Sequence, residues 1–317
     1  MQKQPLFSVV IPSYNHADFV GDALESVLNQ TFEEFEVIIV DDGSTDDTRS
    51  VISGYDDPRI HYVHQPNKGL PAARNTGIRH ARAPWIALLD ADDIWHSSKL
   101  EEVAWHIDHY PDIEVFGSPL SKTLELPKEL PDVPPVQRLS ARDFLFQSPF
   151  APSAVTVARQ AFDKVGLFDE SLKSIEDRDM WLRLSLKCSI LQIQSHNWTY
   201  RQHDGQMSNN CQRMKTYYLV VLRKFFRLAP EYNDLKRAAF SYCYRDAGIC
   251  QIANDRKLAG IGSFVISGLL HPTALPYEEH EELLRLKMSI HAIFGKHLTR
   301  VSKRLAREFR RKIMTTL

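Results

Sequence analysis

Trp85-Ile86-Ala87-Leu88-Leu89-Asp90-Ala91-Asp92-Asp93 runs five apolar residues into a cluster of acids. The apolar part is too short for a helix and reads as a buried strand over residues 85–89. Working outward, the same arrangement recurs. Residues 8–11 form a short β-branched run ending in Pro12-Ser13-Tyr14-Asn15, and the apolar residues 37–40 end in Asp41-Asp42-Gly43-Ser44. Residues 60–63 supply another strand. Helical patterns lie between them. Val20, Ala23, Leu24, Val27 and Leu28 repeat at helical spacing, residues 71–81 read as a helix, and the spacing returns over residues 100–110. Ser44 and Asp47 predict a capping box for the helix that follows the second strand. Such alternation implies an α/β fold with a parallel sheet covered on both faces. Ligands of these sheets sit beyond the carboxyl ends of the strands. The three polar clusters are therefore expected to line one crevice.

Composition sets the outer limits. The 317 residues are 43% hydrophobic and 25% charged, as in an ordinary globular chain of one large or two modest domains. A net charge of -1 offers no basic field for nucleic acid. Residues 1–7 lack the apolar core of a secretory leader. The apolar stretch 259–270 is too short for a membrane span, which needs about twenty residues, and reads as a buried helix. Cys188, Cys211, Cys243 and Cys250 show neither C-x-x-C pairing nor metal spacing. They read as reduced core thiols, which points to a cytosolic location. After Gly117 five prolines fall between Pro119 and Pro135, marking an irregular insertion. Helical patterns resume at 141–146, 159–165 and 177–188, and dominate from about 211 onward, most clearly at 217–226, 235–250 and 278–293.

Chemistry is concentrated in few places. Asp90 and Asp92 alternate in an extended chain and so face one side. Two such carboxylates make a hard-oxygen site suited to Mg²⁺ or Mn²⁺. No G-x-G-x-x-G or G-x-x-x-x-G-K-[ST] occurs, so any nucleotide phosphates must be held by metal and side chains. Arg74, near a helix start, is a candidate for bidentate phosphate contact, the alternative being a solvated surface cation. Asp177, Met180, Trp181, Leu184 and Cys188 follow one helical stripe, which puts Asp177 on an inward face. A carboxylate there needs a partner or a task. Repulsion from Glu176 would raise the pair's pKa values, as a general base requires; a helix N-terminal charge is the other reading. Tyr200-Arg201-Gln202-His203 forms a further cluster.

Taken in order, these stretches resemble the family 2 glycosyltransferases, which have the GT-A fold. The resemblance is carried by Val9-Val10-Ile11-Pro12-Ser13-Tyr14-Asn15, by Val40-Asp41-Asp42-Gly43-Ser44-Thr45-Asp46 and by Gly69-Leu70-Pro71-Ala72-Ala73-Arg74-Asn75. It continues through Asp90-Ala91-Asp92-Asp93, then Glu176-Asp177 with Trp181-Leu182-Arg183-Leu184, and ends at Tyr200-Arg201-x-His203. Each motif is loose alone, but the ordered set is specific and covers roughly residues 7–210. It implies a catalytic domain over residues 1–212, with nucleotide-sugar binding in about the first hundred and the acceptor side and base beyond. A helical region would follow over 213–317.

The resemblance also implies roles. Pro12, Ser13 and Tyr14 would line the nucleotide pocket, Asp41 would bind the base, and Arg74 would reach base or phosphate. Asp90 would approach the ribose or sugar. Asp92 would ligate Mn²⁺ or Mg²⁺, Asp177 would be the catalytic base, and Arg201 and His203 would close over the diphosphate, with His203 a second metal ligand. The partners implied are a nucleotide-sugar donor and a saccharide or lipid-linked acceptor of a cell-surface polysaccharide or glycoconjugate. The Q-x-x-R-W pattern of processive members is absent, which implies transfer of single sugars.

Two rival readings fit less well. A phosphotransferase of the haloacid dehalogenase type also has D-x-D after a strand, but follows it with Gly-Thr or Gly-Val where this chain has Asp93-Ile94. A non-catalytic sugar-nucleotide binder would not need the complete set of acidic residues. Residues 296–312 carry eight Lys/Arg against the single acid Glu308, around a stripe of Leu298, Val301, Leu305 and Phe309. Such a helix can lie on an anionic membrane surface, on the inner face for a cytoplasmic protein; a partner-packed or solvated terminal helix is the other reading.

Overall fold

Four parallel strands carry the first half of the sheet. β1 (Phe7–Ser13) and β2 (Phe35–Asp41) are buried at every position, which explains runs without polar alternation. β3 (Ile60–His64) and β4 (Trp85–Leu88) flank them. The connections are α1 (Val20–Leu28), α2 (Thr48–Ser53) and α3 (Leu70–His80). α3 lies so close to β1 that a Cβ on Gly77 would stand 2.3 Å from Val10 Cγ1. The structure is a computed structural model and describes residues 4–119, 134–203 and 210–271.

Beyond β4 the sheet changes direction. β5 (Ile94–Trp95), α4 (Lys99–His109) and β6 (Val115–Gly117) come first. They are followed by β7 (Val136–Leu139), α5 (Ala141–Phe146), β8 (Thr156–Ala158), α6 (Arg159–Val165), α7 (Glu176–Ser185), β9 (Ile190–Ile193) and β10 (Trp198–Thr199). The eight-stranded order is β3-β2-β1-β4-β8-β6-β9-β7, with β5 and β10 pairing separately. β8 runs antiparallel to both β4 and β6, and β7 antiparallel to β9. The parallel sheet expected from the first hundred residues is therefore one half of a mixed sheet. The short strands β6 to β10 carry no clear alternation and give no sequence signal.

The chain divides into two compact units, Met1–Asp204 and Gly205–Leu317. In the second, α8 (Cys211–Leu228), α9 (Lys236–Ala253) and α10 (Lys257–Leu270) follow one another. α8 buries Tyr218, Val221, Leu222, Phe225 and Phe226, a helical stripe. Two expectations fail here. α10 is not a buried helix: its buried positions are the small Gly260, Ser263 and Ser267 with Phe264, while Leu258 and Leu269 are 87% and 73% exposed. Close approach to α9, sealed by the Ser241 Oγ bond to the Ser267 carbonyl (2.7 Å), favours the small face. Nor are all four cysteines thiols. Cys211 and Cys250 form a disulfide, with Cα atoms 5.7 Å apart although 39 residues separate them. Helix packing, not sequence spacing, brings them together, and the cytosolic location inferred from four thiols loses that support. Cys188 and Cys243 remain free.

The Ser44–Asp47 capping box also does not form. α2 starts at Thr48, and Asp47 makes no capping bond. Asp46 instead accepts the Thr48 amide (3.0 Å), and Ser44 Oγ accepts the Asn15 amide (2.9 Å). Among the described residues no helix is long and apolar enough to cross a membrane. The helical pattern at 278–293 and the basic tail at 296–312 lie outside the described residues, as does most of the proline-rich insertion.

Candidate functional site

The carboxyl ends of β1, β2 and β4 converge, since β1 pairs with both others and Ser13 stands in register with Asp41. The Ser13 carbonyl accepts the Asp42 amide (2.8 Å), which joins the first two polar clusters. Pro12 and Ser13 are buried, while Tyr14 is 45% exposed at the crevice mouth. Asp41 is buried and accepts from the Ser44 amide (2.8 Å) and the Tyr62 hydroxyl (2.7 Å). Burial alone would raise its pKa; these hydrogen bonds outweigh burial and hold the carboxyl below its usual value. Asp42 has a structural task. It accepts from the Gln65 side chain and from the Lys68 and Gly69 amides at 2.6, 2.9 and 2.8 Å, which fixes the turn into α3. Gly43 allows that turn: its φ is +79°, and a Cβ would lie 2.8 Å from the Asn67 amide nitrogen.

Arg74 is the hub of one side. It is 1% exposed and donates to Glu176 Oε1 (2.7 Å) and Asp90 Oδ1 (2.6 Å). Arg74, expected to reach base or phosphate, has two of its guanidinium nitrogens bonded to carboxylates. Glu176 comes from α7, which other bonds hold in place. Arg178 donates to the Phe144 and Gln147 carbonyls around α5, and Asn75 holds Phe168 in the loop before α7. α7 begins at Ile175 in a left-handed conformation, with φ 63°. Glu176, not Asp177, is the inward carboxylate; Asp177 is only half-buried. Helical spacing places Asp177 on the apolar stripe, but the first turn points its neighbour inward, where Arg74 neutralises it. Burial, with Asp177 adding repulsion, keeps the Glu176 pKa raised despite Arg74. Asp177 lies near enough to Arg74 and Asp90 to act on both electrostatically.

The turn after β4 bridges to the other side. The Asp90 amide donates to Ser153 Oγ, whose hydroxyl bonds Asp93. Burial, with Asp90 and Asp92 nearby, pushes the Asp93 carboxyl up to about 8. The β5–β10 pairing then returns residues 200–203 to this turn. His203 Nε2 reaches Asp92 Oδ2 at 3.0 Å, across 111 positions of sequence. Arg201 is engaged elsewhere. Its guanidinium donates to the Asp92 carbonyl, to Asp22 (2.6 Å) and to the Phe19 carbonyl (2.9 Å). These bonds brace the turn that presents Asp92.

His16 is the residue that sequence reasoning missed. One ligand atom each from His16, Asp92 and His203 lie within 4.8 Å of one another, an arrangement able to hold a metal ion. Among the described residues, His16 Nδ1 is buried without a hydrogen-bond partner. Nothing in the sequence near Asn15 signals this, because the partners lie about 75 and 190 positions away.

Known proteins resemble the chain as follows. The sequence model described as Glycosyl transferase family 2 matches residues 8–163. An uncharacterized glycosyltransferase of Rickettsia typhi is 30% identical over 232 residues, 70% of this chain and 72% of the relative. Matches to two further Rickettsia relatives span 60% and 46% of their lengths. Among solved structures, S. aureus TarS 1-349 in complex with UDP is similar with a TM-score of 0.61 at 19% identity, covering 92% of each chain. The mannosyltransferase PcManGT from Pyrobaculum calidifontis, in complex with GDP-Man and Mn²⁺, is similar with a TM-score of 0.60 at 16% identity, covering 93% of this chain and 89% of that one. These structural likenesses show the shared fold, an α/β sheet flanked by helices with a helical C-terminal region.

Proposed function

The chain belongs to glycosyl transferase family 2, and on that premise we propose an inverting, metal-dependent transfer of one sugar from a nucleoside-diphosphate donor to an acceptor hydroxyl. The acceptor is a saccharide or lipid-linked glycan in cell-surface polysaccharide or glycoconjugate synthesis. One observation carries this reading: two sequence-distant groupings meet at the turn after β4. Asp92 stands with His203, and Asp90 stands with Arg74 and Glu176 beside Asp177. That TarS binds UDP and PcManGT binds GDP-Man and Mn²⁺ supports a nucleotide-sugar donor and a divalent ion.

The residues divide the work. Pro12, Ser13 and Tyr14 line the nucleotide side, and Asp41, held ionised by Ser44 and Tyr62, accepts hydrogen bonds from the base. Arg74 positions Asp90 toward the donor and Glu176 behind Asp177. Asp92 and His203 would hold a divalent ion, with a ring nitrogen of His16 within 4.8 Å of their ligand atoms. When bound, that ion offsets negative charge on the donor's phosphates by several kcal/mol. Asp177, half-exposed at the start of α7, takes the proton of the acceptor hydroxyl. The acceptor oxygen bonds to the anomeric carbon from the face opposite the diphosphate. The bond from that carbon to the diphosphate oxygen breaks, and its electron pair leaves with the nucleoside diphosphate.

A thermal-shift screen of the full chain against UDP-, GDP- and dTDP-sugars with Mn²⁺ tests this. One donor class should raise the melting temperature, and NMR of its product should reveal an inverted anomeric centre. Retention of configuration, or no response to any donor with metal, defeats the reading.

A further inference from the structure

His16 belongs to none of the clusters read from the sequence, yet it stands at the point where two of them meet. The chain is fixed there with unusual thoroughness. Asn15 adopts φ 53°, and three successive amides are then tied to the β2–α2 connection. Asn15 donates to Ser44 Oγ (2.9 Å), His16 to Thr48 Oγ1 (2.9 Å) and Ala17 to Asp46 Oδ2 (3.0 Å). Phe19 stacks on His203 with ring centroids 4.7 Å apart and meets His16 edge-on at 6.2 Å. Both imidazoles are thus oriented by one aromatic ring. Among the described residues His16 Nδ1 is buried without a partner, which is costly, and one ring nitrogen of His16 lies within 4.8 Å of ligand atoms of Asp92 and His203, which themselves stand 3.0 Å apart.

We infer that His16 is a third protein ligand of the divalent ion, completing a two-histidine, one-carboxylate site that selects Mn²⁺, Co²⁺ or Zn²⁺ over Mg²⁺. The inference rests on the metal role proposed for Asp92 and His203. Imidazole nitrogens suit the later first-row metals, whereas Mg²⁺ demands oxygen ligands and keeps its waters. Ligand bonds of about 2.1 Å set neighbouring donor atoms about 3–4 Å apart. The ligand atoms of His16, Asp92 and His203, all within 4.8 Å of one another, are close to that spacing. Three protein ligands leave further positions open for donor oxygens. The choice between Mn²⁺ and Mg²⁺, open from Asp90 and Asp92 alone, is thereby closed by a histidine.

The test uses the full chain, treated with chelator and titrated calorimetrically with Co²⁺, Mn²⁺ or Mg²⁺ alone. Co²⁺ should bind at least about tenfold more tightly than Mg²⁺. Loss of a group that merely supports a ligand costs about 10–100-fold in affinity, so His16→Gln should lose at least about tenfold for Co²⁺ with little change for Mg²⁺. In the unaltered protein, Co²⁺ should protect His16 from carbethoxylation by diethyl pyrocarbonate, read by mass spectrometry; this readout does not depend on the variant's folding. Unchanged Co²⁺ affinity in His16→Gln together with unprotected His16 overturns the inference. If Asp92→Ala still abolishes Co²⁺ binding in that case, the Asp92–His203 site stands without His16. If Asp92→Ala is equally silent, the metal reading itself falls.

Discussion

A buried cation stands behind each side of the crevice, and the two are held differently. Behind the base side, Arg74 pairs with Asp90 and Glu176. Burial works against its charge, but the two carboxylates outweigh burial and raise its pKa. Behind the strand that delivers His203, Lys99 is also fully buried but has neutral partners. Its Nζ donates to Asn197 Oδ1 (2.9 Å) and sits 5.3 Å from the Trp95 ring centroid. Burial, opposed by Glu102, pushes its pKa down to about 7. The base side is a set of coupled charges in which no member can be lost without stranding another. On the other side Lys99 is held by neutral partners, while Arg201 braces the turn that presents Asp92.

The largest effect expected on this contrast is at Asp177, the base proposed above. Asp177→Asn should lose about 10²–10⁴ of transfer rate with donor affinity unchanged; near-normal turnover would assign the proton transfer elsewhere. Next comes Arg74→Met, which leaves the buried Glu176 and the partly buried Asp90 unpaired. Breaking a buried pair from one side typically costs about 3–5 kcal/mol, readable by urea unfolding, and a loss under about 1 kcal/mol would dissolve the picture of a coupled set. On the other side, metal at about 100 times its Kd should stabilise the protein by about 2.7 kcal/mol. Asp92→Ala should abolish that gain while unfolding normally in chelator.

Lys99 should give the smallest change. With its folded pKa lowered from 10.5 to about 7, the unfolded chain binds the extra proton between those values. Stability from this group therefore rises as pH climbs from about 7 to about 10. Lys99→Met should flatten that rise and cost no more than about 1 kcal/mol at pH 7, because Ser118 Oγ still donates to Asn197 Oδ1 at 2.7 Å. A loss as large as that of Arg74→Met would erase the distinction between the two sides.

Legibility follows the range of the interactions. The four central strands can be read because burial on both faces demands apolar runs, and their polar ends mark the crevice. Periodicity puts Asp177 on the right helix but facing inward, since it cannot register the left-handed start at Ile175 that turns Glu176 to Arg74. Arg74 and Arg201 are legible as important cations, but their engagement with protein partners is not, because those partners are set by packing across the fold. His16 and the Cys211–Cys250 pair give no signal, each being defined by neighbours far along the chain.

By itself, then, the amino-acid order determined the alternating sheet, the acidic turns at its edge and the family, because these depend on local periodicity and on which residues end each strand. Only the tertiary structure decided which carboxylate faces Arg74, which arginines already have protein partners, and that two histidines from opposite ends of the first unit lie near one aspartate. Those outcomes depend on contacts between residues about 75 to 190 positions apart, and side-chain directions over such separations emerge only when the sheet and helices pack.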